Sequence, residues 1–113
     1  MASRRELGKA GEDLALSHLL SLGYTLLERN YRGRRGEIDL VLRDGETVVF
    51  VEVKRRTSGA FGLPEEAVDG RKQRRIAAVA AGYLARHGLA DRPCRFDVVA
   101  VQGGEVRHLI GAF

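Results

Sequence analysis

The chain has 113 residues, carries 19 Lys and Arg against 15 Asp and Glu, and is 44% hydrophobic. That length suits one domain over residues 1–113, the composition is globular rather than disordered, and no apolar run approaches the ~20 residues of a membrane helix. The net charge of +4 and sequence pI of about 9.7 fit a polyanionic partner, nucleic acid foremost. With four Phe, three Tyr and no Trp, a platform for stacking bases is not evident, so contact with the phosphate backbone is the expected mode. A single cysteine, Cys94, excludes an internal disulfide, and with three histidines it argues against structural zinc. The stretch "MASRRELGKAGEDLALSHLL" lacks the uninterrupted apolar segment of a signal peptide, so a cytoplasmic location is expected.

Ser3 followed by Glu6 has capping-box spacing, which predicts a helix from there to Leu22, stopped by Gly23. Leu7, Ala10, Leu14, His18 and Leu22 cluster on one of its faces. Residues 24–32 read as a strand and "GRRG" (33–36) as a loop. Residues 37–43 and 47–54 read as strands around Asp44-Gly45, a two-residue hairpin signal. "RTSGAFGLPEE" is a loop, punctuated by Gly59, Gly62 and Pro64. A second helix is expected over roughly residues 65 to 87, with Gly70 as a point of interruption. "RFDVVAV" (95–101) and "VRHLI" (106–110) are short strands joined at Gly103-Gly104. The order α-β-β-β-α-β-β is that of an α/β protein with a mixed sheet carrying helices.

The central hairpin holds an unusual number of charges. With Asp44-Gly45 as its loop, Arg43 pairs with Glu46, Asp39 faces Phe50 and Glu37 faces Glu52. Alternation then puts Glu37, Asp39, Phe50, Glu52 and Lys54 on one face, and Ile38, Leu40, Val49, Val51 and Val53 on the other. A three-residue loop would reverse the relation. A polar face in water is one reading of such alternation. Against it, "TVVFVEV" is apolar on both faces over its first half, as in a central strand. Directly opposed like charges also destabilise a sheet, by very roughly 0.2–1 kcal/mol. Carboxylates gathered at a half-buried spot suit a hard divalent cation, Mg²⁺ or Mn²⁺, which takes oxygen ligands and often shares a substrate phosphate. Lys54 would set an ammonium beside that ion, to orient a water or stabilise charge at a phosphorane-like centre.

Asp39 in "GEIDL" and Glu52-Val53-Lys54 in "VEVKRR" resemble the PD-(D/E)XK nuclease signature, an acid at a strand start followed by a strand ending in Glu-X-Lys. Taken with the first helix, "GKAGEDLALSHLLSLGYTLLERNYRGRRGEIDLV", "FVEVKRR", "AVDGRKQRRIAAVAAGYL" and "RFDVVAV" resemble the YraN-like family, related to the archaeal-type Holliday-junction resolvases, over nearly the whole chain. The resemblance implies a restriction-endonuclease-like core: a central mixed five-stranded sheet flanked by helices. It implies a metal-dependent endonuclease on DNA, branched or junction DNA included, with Asp39, Glu52 and Lys54 as the catalytic set. Metal ligands would be Glu12, Asp39, Glu52 and the Val53 main-chain carbonyl. Glu12 lies with Leu16 and Leu19 at i, i+4 and i+7 and so borders apolar surface. A surface glutamate early in a helix is the plain alternative. Ile38 stands where the superfamily's proline would precede Asp39.

Arg34 and Arg35 in "GRRG", and Arg55 and Arg56 in "KRRTSG", are candidate phosphate contacts, or simply solubilising loop residues. Gln73 shares a helical face with Ile76, Ala77, Ala80, Tyr83 and Leu84 and joins Glu37 as an auxiliary candidate, a solvated first-turn glutamine being the alternative. Arg71, Arg75 and Arg86 fall on the opposing face and read as solvated. His18 reads as packed, Asp97 as the structural partner of an arginine, and Cys94 has no setting for a nucleophile. If junctions are the substrate, two symmetric cuts call for a C₂ homodimer. The rival class is a nucleic-acid-binding protein that keeps the nuclease fold without turnover. The intact Glu52-Val53-Lys54 set favours the enzyme, because pure binding of a polyanion needs no carboxylates facing it.

Overall fold

The computed structural model describes residues 4–56 and 68–113, with Arg4–Leu7 and Arg56 as backbone alone. Helix α1 runs Arg4–Ser21. It stops where expected because Gly23 adopts φ +90° and closes a Schellman motif: Gly23 N–H donates to the Leu20 carbonyl and Tyr24 N–H to that of Leu19. Its inner face is Gly11, Ala15 and Leu19, whereas Leu14 and Leu22 are 42% and 50% exposed. The expected leucine stripe is thus not the core face. Small residues let this helix lie close on the sheet, and the leucines fall to its flank.

The strands are β1 (Thr25–Gly33), β2 (Gly36–Asp44), β3 (Thr47–Arg56), β4 (Cys94–Gln102) and β5 (Glu105–Leu109). Helix α2 spans Gly70–Arg86 between β3 and β4. Residues 57–67, which include most of the expected loop and the first expected helical positions, lie outside the described residues. Gly70 opens α2 rather than interrupting it, because Asp69 caps it: the Asp69 carboxylate accepts from Lys72 N–H at 2.9 Å.

The sheet is mixed and its five strands lie in the order β1-β2-β3-β4-β5. β3 and β4 are parallel, a pairing that needs the crossover carrying α2, and the other pairs are antiparallel. This is the α/β architecture of a restriction-endonuclease-like core. Along β3, Val48 and Phe50 pack toward α2, together with Val41, Val98, Ile76, Val79 and Tyr83. Val49 and Val51 pack toward α1, together with Leu40, Leu42, Val99, Ala15 and Leu19. Burial on both sides explains why β3 reads as a continuous apolar run. Each large side chain so buried stabilises the fold by about 1.5–3 kcal/mol. No helix among the described residues is long and apolar enough to cross a membrane.

Two features of the central hairpin differ from expectation. Its loop is Gly45-Glu46, since Asp44 pairs with Thr47. Gly45 has φ +60° and comes first in the loop, the type II′ arrangement, whereas the expected pairing assumed glycine in second place. The register moves by two residues, so face parity survives, but Val51 meets Leu40 and Phe50 meets Val41 instead of Asp39. Ile38, expected beside Leu40, packs with the α2 cluster instead. The cause is a turnover of β2 described below.

On β4, in register with Val51 of β3, Asp97 is fully buried. Arg95 Nε and Nη2 donate to its two oxygens at 2.9 Å, Gly111 N–H donates at 3.0 Å, and His108 Nε2 lies at 2.7 Å. Arg95 continues to the Tyr24 hydroxyl at 2.8 Å. The network ties β4 to β5 and to the α1 exit, as the expected structural role for Asp97 requires. Burial pushes the Asp97 carboxyl up, yet the bonds from His108, Arg95 and Gly111 outweigh it and bring the pKa down to about 2. A depressed carboxylate contributes stability that is fully present above its unfolded pKa near 4 and lost as pH falls toward 2. Urea unfolding between pH 7 and 2.5 should therefore show the parent losing about 2 kcal/mol through this group. Asp97→Ala should cost roughly 3–5 kcal/mol at pH 7, because it leaves Arg95 and His108 without their buried partner, and should have a flatter acid limb.

Candidate functional site

Asn30 has φ +50°, a left-handed conformation that asparagine tolerates better than most residues. It falls between the Arg29–Leu40 and Tyr31–Ile38 pairs, opposite Asp39. Across this point both strands turn over. Leu40 faces the α1 side, while Tyr31 and Ile38 face the α2 side. The β2–β3 ladder runs from the hairpin loop to Leu40–Val51 and ends there. In place of the next backbone bond, Val53 N–H donates to Asp39 Oδ2 at 2.7 Å. A strand residue projects its N–H and C=O to the same side, so the Val53 carbonyl opens on the same gap.

Glu52 sits beside this gap, where continuation of the ladder would set it against Asp39. Its carboxylate is 10% exposed and meets Lys72 Nζ at 2.7 Å and Lys54 Nζ at 3.7 Å. Asp39, Glu52, Glu37, Lys72, Arg35 and Arg75 line a cleft of about 360 Å³ between the sheet and α2. Burial first, and then the charge of Glu52, raise the Asp39 pKa to about 7; the Val53 N–H bond opposes this, and Glu12 and Glu37 add to it. Asp39 is thus a carboxylate held at a cost among other carboxylates. Burial and then the Lys72 ammonium lower the Lys54 pKa, against the pull of Glu52 and Asp39. Lys72 is the opposite case: burial works to lower it, and its bonds to Glu52 and Lys54 raise it on balance. The two lysines are therefore shifted in opposite directions, Lys72 held charged against Glu52 and Lys54 made easier to deprotonate.

Glu12 borders the buried face of α1 as expected, and its field reaches Asp39. Its oxygens are occupied: Arg29 Nη2 donates to Oε1 at 2.9 Å and Asn30 Nδ2 to Oε2 at 2.9 Å. Arg29 also meets Asp13 at 2.7 Å. Among the described residues, no three Asp, Glu, His or Cys side chains stand close enough to share an ion as they are arranged here. The structure thus brings together Asp39, Glu52, Lys54 and Val53, and leaves Glu12 turned toward Arg29 and Asn30. Glu37 is at the mouth of the cleft, in a 3.4 Å pair with the exposed Arg32.

The basic candidates separate. Arg34 and Arg35 form the two-residue turn between Gly33 and Gly36, and Arg35 lines the cleft. Arg55 points the other way: its stem covers Gly11 of α1, where a Cβ would lie 3.2 Å from Arg55 Cδ. The side chain of Arg56 is outside the described residues. Gln73 does not line the cleft; its amide donates to the Val68 carbonyl at 2.9 Å and ties down the start of α2. Arg75, expected on a solvated face, lines the cleft instead, and Lys72 was missed altogether. The available signal was spacing, since Lys72, Ile76, Val79 and Tyr83 share the inward stripe of α2. His18 is packed edge-on to His108 at 5.5 Å, as expected.

Comparison with known proteins supports the YraN-like family part of the sequence resemblance. The model of the uncharacterised protein family UPF0102 matches residues 11–101. A UPF0102 protein of Moorella thermoacetica is 54% identical, over 88% of this chain and 82% of its own length. One from Anaeromyxobacter dehalogenans is 51% identical over 97% and 85%, and one from Frankia casuarinae is 48% identical over the full length of both. The matched span reaches from α1, just before Glu12, through Asp39, Glu52 and Lys54 to the end of β4, so it carries the whole site just described. The chain belongs to the UPF0102 family.

Proposed function

We propose that this protein is a divalent-metal-dependent endonuclease of PD-(D/E)XK type that hydrolyses phosphodiester bonds in DNA, with branched or junction DNA as the substrate to try first. One observation carries the reading: Asp39, Glu52 and Lys54 converge where the β2–β3 ladder ends, beside the Val53 carbonyl. The donor set fits a hard cation. Asp39 and Glu52 supply carboxylate oxygens in a half-buried gap, and their mutual repulsion is what a divalent ion between them would relieve. Mg²⁺ or Mn²⁺, when bound, supplies positive charge to the phosphorane-like transition state and a more acidic water.

The chain's own groups do the rest. Lys54 reaches the gap and holds or accepts the proton of the attacking water. Lys72 now pairs with Glu52 and, were Glu52 to hold an ion, would be placed to meet a phosphate oxygen. Arg34 and Arg35 hold the flanking backbone. Glu12 becomes a ligand only if Arg29 and Asn30 release it. That last point favours a second reading. Glu12 and Glu52 already have cationic partners, as a binding protein that never loads metal would need. On that reading the protein binds nucleic acid without cutting it.

The deciding experiment is a panel of labelled DNA and RNA substrates (duplex, flap, junction and single strand) with Mg²⁺, Mn²⁺ or EDTA, alongside Lys54→Ala. Cleavage that needs metal and is lost in Lys54→Ala supports the nuclease. Binding without cleavage on every substrate selects the second reading. Thermal melts give an independent test. Free Mn²⁺ at ten times its dissociation constant should stabilise the parent by about 1.4 kcal/mol. Asp39→Asn and Glu52→Gln should each lose most of that gain, while Lys54→Ala keeps or increases it. Without metal, Asp39→Asn should be at least as stable as the parent, because it removes a repelled charge while its amide oxygen can still accept from Val53 N–H. Affinity for DNA in EDTA should fall steeply with salt, and Arg34→Ala with Arg35→Ala should flatten the log–log slope by about 2. An affinity unmoved by salt would remove both arginines from the interface.

A further inference from the structure

The cleft does not end at Arg75. A second hollow of about 330 Å³ continues from it along α2, lined by Arg34, Arg35, Val79, Gly82 and Arg86. Arg35 and Val79 belong to both, so the two form one trench with α2 as one wall and the Arg34-Arg35 turn as the other. On α2, Arg75, Val79, Gly82 and Arg86 stand at i, i+4, i+7 and i+11, a single stripe of the helix. From Lys72 to Arg86 that stripe is roughly 21 Å long, the axial span of about six nucleotides of one strand. Arg29, Arg32, Arg92 and Arg95 each meet an acid. Among the described residues no acid pairs with Arg34, Arg35 or Arg86, which all face the trench.

Gly82 is the second observation. A glycine inside a helix costs about 1 kcal/mol relative to alanine. Yet among the described residues nothing lies within 4 Å of where its Cβ would be, so their packing does not demand it. The open space lies in the trench wall, at the level where a chain threading past Arg86 would press closest to the helix. Tyr31, the aromatic residue of the lining, is buried under the trench and offers no face to a base.

We infer that this trench is the track for one sugar–phosphate strand, gripped through its phosphates and read without base contacts, with the Asp39–Glu52 cleft at one end. The inference rests on the nucleic-acid reading above and adds to it the path of the strand and the residues that hold it. The strand runs along α2 toward Arg86, with Gly82 giving its backbone room. Binding is consequently indifferent to sequence.

The test is equilibrium binding of labelled 20-nucleotide DNA and RNA duplexes of unrelated sequences, in EDTA so that no cutting intervenes. Gly82→Ala should bind within about twofold of the parent and melt higher, because the methyl group is small and favours the helix. Gly82→Glu puts a carboxylate into the trench and should weaken binding about tenfold or more at low salt. Arg86→Ser should weaken it severalfold and reduce the salt slope by about 1; it keeps the question open to decision should Gly82→Glu fail to fold. The DNA and RNA arms identify which polymer the track prefers. A parent that binds while Gly82→Glu and Arg86→Ser bind equally well overturns the track and leaves the nuclease proposal standing. A parent that binds neither polymer overturns the track, while the nuclease proposal is decided separately by the substrate panel with metal. Equal weakening toward polyglutamate as toward the duplexes would also overturn it, by marking the trench as a general anion surface.

Discussion

The site depends on one hydrogen bond, that from Val53 N–H to the Asp39 carboxylate. A β-ladder cannot simply stop in a protein interior, because an unpaired amide there costs about 1–3 kcal/mol. Here the side chain of Asp39 takes the place of the missing backbone acceptor, so β2 can leave β3 while the sheet stays intact. The gap this opens lets the Val53 carbonyl face something other than a neighbouring strand, beside the Glu52 carboxylate that reaches Lys72 of α2. Asn30 makes the departure feasible from the other side. Its left-handed backbone turns β1 and β2 over together, and its amide group simultaneously fixes Glu12. A strained backbone position and a charged cluster thus share one cause, as is common where local strain is retained for a site.

The electrostatics follow from that geometry. Asp39 cannot leave the gap without orphaning Val53, and Glu52 cannot move away without leaving β3. Their repulsion is therefore built in, and the chain balances it with ammonium groups at 2.7 and 3.7 Å from Glu52. Such an arrangement is easily exchanged. An ammonium on a flexible stem holds a carboxylate by a single point contact and can swing to a phosphate, whereas the paired contacts of Arg29 with Glu12 and Asp13 have a more rigid geometry. The Glu52 side of the site is thus the adaptable one and the Glu12 side the fixed one.

Much of this was legible in the sequence because it depends on quantities a sequence carries. Element order and most boundaries follow from apolar runs and from Gly23, Gly45 and Gly88, each with positive φ. Asp39, Glu52 and Lys54 fall on one side through alternation alone, and a register error of two residues does not disturb that parity. The exact partners were not legible, because "DG" suits either of two hairpin turns that differ in which position glycine takes. Nor was the turnover at Asn30, which is a single backbone conformation with no periodic trace. Lys72 and Arg75 were obscured by a different effect. The run "GRKQRR" looks like a solvated charge cluster, and only the packing of Ile76, Val79 and Tyr83 on the sheet reveals which of its members are turned inward.

The distribution of charge then connects the parts. At the cleft, Glu37, Asp39 and Glu52 stand among Lys54, Lys72, Arg35 and Arg75, so the cations that would meet a phosphate are partly offset by carboxylates. Along the trench the balance breaks: Arg34, Arg35 and Arg86 face it without acidic partners among the described residues. On the proposed track, a polyanion would be held by the trench and led to the cleft, instead of being attracted chiefly by the cleft itself. This resolves the apparent conflict between a basic protein and an acidic site. On the proposed reading, Asp39 and Glu52 are left to the cation while the arginines of a trench extending roughly 21 Å along α2 hold the strand.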